Sequence, residues 1–205
     1  GKQIKRAGAD ACMYVTPYYN KTSQKGLVAH YKKLAFEVEL PLIIYNIQGR
    51  TGLNMLPKTF RELAGVENIA AVKEASGNIV QVAEIAELCG DMLDIYSGND
   101  DYVVPILSLG GKGVISTAGK IIPRAVHEMV QKFLDGDVAG SRRIQLDILP
   151  LVRSLFNDVN PMPVKAALNL LGFAMGACRM PLTTLDNGVL EELKKQMTAF
   201  GLAVT

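Results

Sequence analysis

The chain has 205 residues, 49% of them hydrophobic and 20% charged, a balance that supports a sizeable core and excludes a disordered or fibrous protein. A net charge of +2, no Trp and no dense basic run leave no nucleic-acid footprint. No apolar run approaches the roughly 20 residues of a membrane span and no signal peptide opens the chain, so a cytoplasmic location without a membrane partner is expected.

The opening Gly1-Lys2-Gln3-Ile4-Lys5-Arg6 reads as the tail of an amphipathic helix and has no initiator Met, so these residues are expected to be a piece of a longer protein. Short apolar runs then predict strands at Ala11–Val15, Leu42–Tyr45, Ile69–Lys73, Leu93–Ser97 and Gly113–Ser116. Helical patterns fill the intervals at Ser23–Val38, Pro57–Ala64 and Ile79–Leu88, with a shorter one over Asp101–Leu109. Strand ends recur every 20 to 30 residues or so, the length of one βα unit. After Thr117 only helices are expected, over Ile122–Leu134, Val138–Leu155, Pro163–Leu171 and Gly188–Phe200. Asp135-Gly136-Asp137 separates the first two, and Asn160-Pro161-Met162-Pro163 opens the third.

Each predicted strand ends in polar or reactive residues: Thr16-Pro17-Tyr18-Tyr19, Tyr45-Asn46, Lys73-Glu74, Ser97-Gly98-Asn99-Asp100 and Ser116-Thr117. Apolar strand bodies with chemistry at their C-terminal tips are the pattern of an α/β chain forming a (β/α)8 TIM barrel. No GxGxxG follows a strand to favour a doubly wound sheet. Five predicted strands account for about the last five βα units of such a barrel, and residues 137–205 form a C-terminal helical appendage to a partial barrel over 1–136.

Lys73 ends the run Ile69-Ala70-Ala71-Val72. Desolvating an ammonium is costly, and a dry amine is a nucleophile able to form a Schiff base with a carbonyl. A packed stem with its head in solvent is the other reading. Tyr45 ends the preceding strand and brings a phenol that can pass protons, or it is an ordinary strand residue. Arg50 offers a planar fork suited to a carboxylate, or a solvated loop charge. Together the three predict a site for a carboxylated carbonyl compound. Gly110, Gly111 and Gly113 make either a tight turn or a phosphate cradle. The widely spaced Cys12, Cys89 and Cys178 form no CxxC pair, and with His30 and His127 as the only histidines a Cys/His zinc site is not expected; reduced, buried thiols are.

The chain resembles the dihydrodipicolinate synthase family, the class I pyruvate-dependent lyases and aldolases that also include N-acetylneuraminate lyase. The ordered segments are VTPYYN (Val15 to Asn20), YNIQGRTG (Tyr45 to Gly52), VKEASGN (Val72 to Asn78), YSGND (Tyr96 to Asp100), GGKGVIS (Gly110 to Ser116), NPMPVKAAL (Asn160 to Leu168) and CRMPLT (Cys178 to Thr183). The resemblance implies that Lys73 is the Schiff-base lysine for pyruvate, that Tyr45 is the phenol over it, and that Tyr19 completes a proton relay across a subunit interface. It implies that Arg50 holds the carboxylate of aspartate semialdehyde and that Gly98 and Ile115 line the pyruvate pocket. The implied activity is condensation of pyruvate with aspartate semialdehyde in lysine biosynthesis. A sugar-acid aldolase, or an inactive fragment or paralogue, is the alternative. No metal or organic cofactor is implied; a homo-oligomer, dimer or tetramer, is. The family's Gly-Thr-Thr-Gly-Glu segment has no counterpart in these residues. Gln48-Gly49 stands where the family has proline and a small residue, and Gly119-Lys120 where it commonly has an asparagine.

Overall fold

The computed structural model describes residues 1–204. They divide into two compact units, Gly1–Ile115 and the residues from Ser116 onward. The first holds five parallel strands in sequential order: β1 (Cys12–Val15), β2 (Leu42–Asn46), β3 (Ile69–Glu74), β4 (Asp94–Ser97) and β5 (Gly113–Val114). Parallel neighbours need a crossover between them, and helices supply it: α2 (Gln24–Val38), α4 (Pro57–Ala64), α5 (Ile79–Cys89) and α6 (Val103–Ser108). A five-residue helix, α1 (Lys2–Arg6), precedes β1 and buries none of its side chains.

The helix starts follow local chemistry. The Ser23 hydroxyl accepts a hydrogen bond from the Gly26 N–H at the head of α2. Asn78 Oδ1 accepts from the N–H groups of Val80 and Gln81 at the head of α5. α4 begins on Pro57, whose missing N–H costs nothing in a first turn. Its face Pro57, Phe60, Leu63 and Ala64 is buried at i, i+3 spacing. Gln24 of α2 clamps this helix: its Oε1 accepts from Thr59 Oγ1 at 2.6 Å and from the Leu56 N–H at 3.0 Å. The core lies between sheet and helices, centred on Leu27, Tyr31, Leu42, Ile44, Phe60, Leu63, Val72 and Ile85.

Strand alternation places Leu42, Ile44 and Asn46 of β2 in the buried layer, while Ile43 and Tyr45 are only half-buried. The ladder register sets Val15, Tyr45, Lys73 and Tyr96 side by side across β1 to β4, with Gly113 beside Tyr96. The final strand is shorter than the expected Gly113–Ser116, because β5 pairs only with Tyr96 and Ser97 of β4. Its approach is a tight turn: Gly110 has φ +89°, and a Cβ on Gly111 would stand 2.8 Å from the Ile106 carbonyl oxygen.

The second unit is helical, with a one-turn 3-10 segment (Ala118–Lys120) followed by α7 (Pro123–Leu134), α8 (Val138–Leu155), α9 (Met162–Leu170) and α10 (Asn187–Ala199). The 3-10 turn was not legible as an element, and Lys120 there donates to the Ser116 carbonyl at 3.1 Å. Ser141 Oγ donates to the Met129 carbonyl at 2.6 Å and ties α8 to α7. No helix among the described residues is long and apolar enough to cross a membrane.

Candidate active site

Tyr45 and Lys73 are register partners at the tips of neighbouring strands. The Lys73 Nζ sits over the Tyr45 ring, 4.2 Å from its centroid. Both side chains are half-buried. An amine so placed is neither sealed in the core nor dispersed on a solvated surface, and an aromatic face within about 6 Å attracts its charged form. Burial pushes the Tyr45 phenol above its ordinary range, and the Arg50 charge pulls it partly back. The guanidinium therefore acts electrostatically on the same phenol that touches the amine.

Arg50 lies on α3 (Gln48–Thr51), a single turn that the sequence patterns did not reveal. The turn needs no proline: the Gly52 N–H bonds the Gln48 carbonyl at 2.8 Å, and Gly52 adopts φ +68°, a conformation glycine accepts without strain. Thr51 is buried and locks the turn to β1, its Oγ1 lying 3.2 Å from Thr16 Oγ1 and accepting from the Leu53 N–H at 3.2 Å. Gln48, Gly49 and Arg50 are left exposed.

Gly98 and Ile115 extend the ladder beyond the strand ends. The Gly98 N–H donates to the Glu74 carbonyl at 2.7 Å, and the Ile115 N–H donates to the Ser97 carbonyl at 2.9 Å. A Cβ on Gly98 would lie 2.5 Å from Ala75 Cβ and 3.0 Å from the Glu74 carbonyl oxygen. Gly98→Ala must therefore part the tips of β3 and β4, and it is expected to destabilise the fold by about 1–3 kcal/mol. Urea unfolding checks this; an unchanged midpoint means that the strand tips yield at no cost.

Tyr19 differs from the half-buried Lys73 and Tyr45 in its exposure. It is 92% exposed at φ +63°, next to Tyr18 at 68% exposure, on the segment leaving β1. Two adjacent exposed tyrosines are a surface apt for association.

Four of the strand-tip polar residues face the other way. Thr16, Asn46, Glu74 and Ser97 are all 2% exposed or less. Asn46 Nδ2 donates to Glu74 Oε2 and to Asn54 Oδ1, both at 2.9 Å, and Asn46 Oδ1 accepts from the Met55 N–H at 3.0 Å. Glu74 Oε1 accepts from the Ser76 N–H at 2.8 Å. Asn54 and Gln81 close the network through 2.7 Å and 3.2 Å bonds. Burial pushes the Glu74 carboxyl upward, opposed by hydrogen bonds from Ser76, Asn46 and Gln81. In the sequence Asn46 and Glu74 stand directly beside the reactive Tyr45 and Lys73. Period-two alternation was the available signal, since positions 46 and 74 must oppose 45 and 73.

Among the described residues, no group of three or more His, Cys, Asp or Glu side chains is placed to hold a metal ion. Cys12 and Cys89 are buried, while Cys178 is only half-buried; all three are unpaired with one another.

A parallel sheet with βα crossovers and polar side chains gathered at its C-terminal strand tips is the arrangement of a (β/α)-barrel enzyme, whose active sites lie on that face. The chain belongs to the dihydrodipicolinate synthetase family, whose model matches residues 1–200. That family is one of lyases, and the five strands are part of its TIM barrel. A 4-hydroxy-tetrahydrodipicolinate synthase of Caldicellulosiruptor bescii is 52% identical over 203 residues, covering 99% of this chain and 68% of its own length. One from a Thermoanaerobacter species is 54% identical over 197 residues, covering 96% of this chain and 66% of the relative. The chain thus spans about two thirds of the relatives it matches. Among solved structures, the dihydrodipicolinate synthase of Thermotoga maritima superposes with a TM-score of 0.96 at 37% identity, over 98% of this chain and 70% of that one. A monomeric dihydrodipicolinate synthase variant gives 0.96 at 36% identity, over 98% of this chain and 68% of that one.

Proposed function

We propose that the protein carrying this chain condenses pyruvate with aspartate semialdehyde through an imine on Lys73. The observation that carries the proposal is the Lys73 nitrogen held 4.2 Å from the centre of the Tyr45 ring at paired strand tips. The amine adds to the keto carbon, and loss of water leaves the imine. Tyr45 shuttles the protons of these steps, a task suited to a half-buried phenol. Loss of a methyl proton gives an enamine, whose carbon attacks the aldehyde and leaves a hydroxyl where the aldehyde oxygen was. The substrate's own amine then displaces Lys73 from the imine carbon and closes the ring. The name of the relatives, 4-hydroxy-tetrahydrodipicolinate synthase, fits a product with that hydroxyl.

In this reading Arg50 binds the semialdehyde carboxylate, Gly98 and Ile115 shape the pyruvate pocket, and Tyr19 relays protons from a second copy in a homo-oligomer. The exposure of Tyr18 and Tyr19 supports the last role. The imine itself supplies the electron sink, so the reading requires no cofactor.

Borohydride reduction in the presence of pyruvate tests it. An N-(1-carboxyethyl) adduct, the reduced imine, is expected on the Lys73 peptide by mass spectrometry, and an unmodified Lys73 overturns the proposal. Arg50→Ala is expected to leave trapping intact while kcat/KM for the semialdehyde falls by about tenfold to a hundredfold. Better turnover of a sugar acid than of the semialdehyde would instead assign a sugar-acid aldolase.

A further inference from the structure

Glu74 follows Lys73 directly, yet it lies in the buried layer at 2% exposure and takes no part in the chemistry above. A buried carboxylate is expensive unless every oxygen is served. Here each is: Oε2 accepts from Asn46 Nδ2 at 2.9 Å, and Oε1 accepts from the Ser76 N–H at 2.8 Å. Asn46 directly follows Tyr45, just as Glu74 follows Lys73, and the two residues are register partners. The Asn46–Glu74 bond therefore clamps, from behind the sheet, the two strand tips whose front faces carry the phenol and the amine. The Ala75 N–H also bonds the Asn46 carbonyl at 2.9 Å, so side chain and backbone fix the same junction. Asn54 and Gln81 brace Asn46 from the following segments, leaving it little room to reorient.

We infer that Glu74 is a positioning residue that holds the Lys73 amine and the Tyr45 phenol in their reactive register through Asn46. The inference rests on the imine reading of Lys73. It assigns to the carboxylate an effect on the rate of carbon–nitrogen bond formation, because misplacing reacting groups by about 1 Å costs on the order of a hundredfold.

The chemistry of the bond dictates the variants. In Glu74→Gln the new amide can still accept from Ser76, but its NH2 then confronts the Asn46 NH2, donor against donor. In the pair Asn46→Asp with Glu74→Gln, the donor and acceptor exchange places. The amide introduced at position 74 now donates to the carboxylate introduced at position 46. That carboxylate still accepts from the Met55 N–H, and the Ser76 contact survives. Asn54 meets the new carboxylate by turning its amide over, and Gln81 follows by turning its own, which forfeits only the long 3.4 Å bond from Gln81 Nε2 to the Met55 carbonyl. The exchange restores the clamp while moving the negative charge across it.

The test measures, on the whole gene product, the rate of borohydride-trapped adduct formation at Lys73 for the parent, each single variant and the exchanged pair, alongside urea midpoints. The expected result is a trapping rate about tenfold to a hundredfold lower in Glu74→Gln, with the adduct still on Lys73, and recovery to within about threefold in the exchanged pair. A parent protein that gives no adduct overturns the imine reading itself. An adduct in the parent with an unchanged rate in Glu74→Gln, whatever its stability, overturns the positioning role. A low rate that the exchanged pair fails to recover, at a recovered urea midpoint, also overturns it and assigns the effect to the charge at position 74.

Discussion

Lys73→Arg is expected to abolish pyruvate trapping and to lower turnover by about a thousandfold or more. The substitution keeps the positive charge, the long stem and the ability to stack on an aromatic ring, so the scaffold around Tyr45 has no reason to rearrange. What it removes is nucleophilicity, since a guanidinium is not deprotonated in proteins. Lysine and arginine are often exchanged harmlessly on surfaces, and the structure separates the two cases. Lys73 is half-buried at a paired strand tip with its nitrogen over a ring. Intact-mass analysis after borohydride reduction, with steady-state assay beside it, checks the result. Retention of more than about a tenth of parental turnover would show that the amine is a binding group rather than the reacting one.

Phe60→Ala is expected to cost about 3–5 kcal/mol and to lower the melting temperature by roughly 10 °C. Phe60 is fully buried on the inner face of α4, beside Leu63 and Ala64, and it belongs to the core that backs the strands. Removing the ring leaves a void that neighbours held by their own hydrogen bonds cannot fill. The head of α4 is pinned by Gln24, which receives both the Thr59 hydroxyl and the Leu56 N–H, so the helix cannot slide inward to collapse it. Equilibrium urea unfolding measures the loss. A change below about 1 kcal/mol would place Phe60 outside the core. Phe60→Leu, which retains most of the volume, should recover the larger part of the lost stability.

Much of the fold was legible because period and punctuation agree. The α4 and α8 patterns reproduce the observed Pro57–Ala64 and Val138–Leu155 helices, and Pro150 inside α8 does not break it. The bodies of β2 and β3 read correctly, and each extends one residue further, to Asn46 and Glu74. Those extensions are polar and so looked like loop. Their cost of burial is met only by partners far off in sequence, which no local pattern can display. The α3 turn escaped because four residues are too few to carry a helical period. Within the site, Lys73 and Tyr45 were identifiable as tip residues, and the structure brings them together. That Arg50 acts on the Tyr45 phenol depends on the fold of that turn. The resemblance supplied roles for Tyr19, Gly98 and Ile115 that composition and spacing did not.

The alternation at the strand tips has an evolutionary consequence. Positions 45 and 73 look one way and 46 and 74 the other, so reactivity and architecture are written in adjacent letters but read from opposite sides. If Arg50 binds the acceptor as proposed, a lineage can exchange what its catalyst accepts by altering the exposed stretch 48–50, which projects from a turn anchored by Thr51. The rear fastening need not drift with it. Such a partition lets new chemistry be explored without reopening the problem of folding.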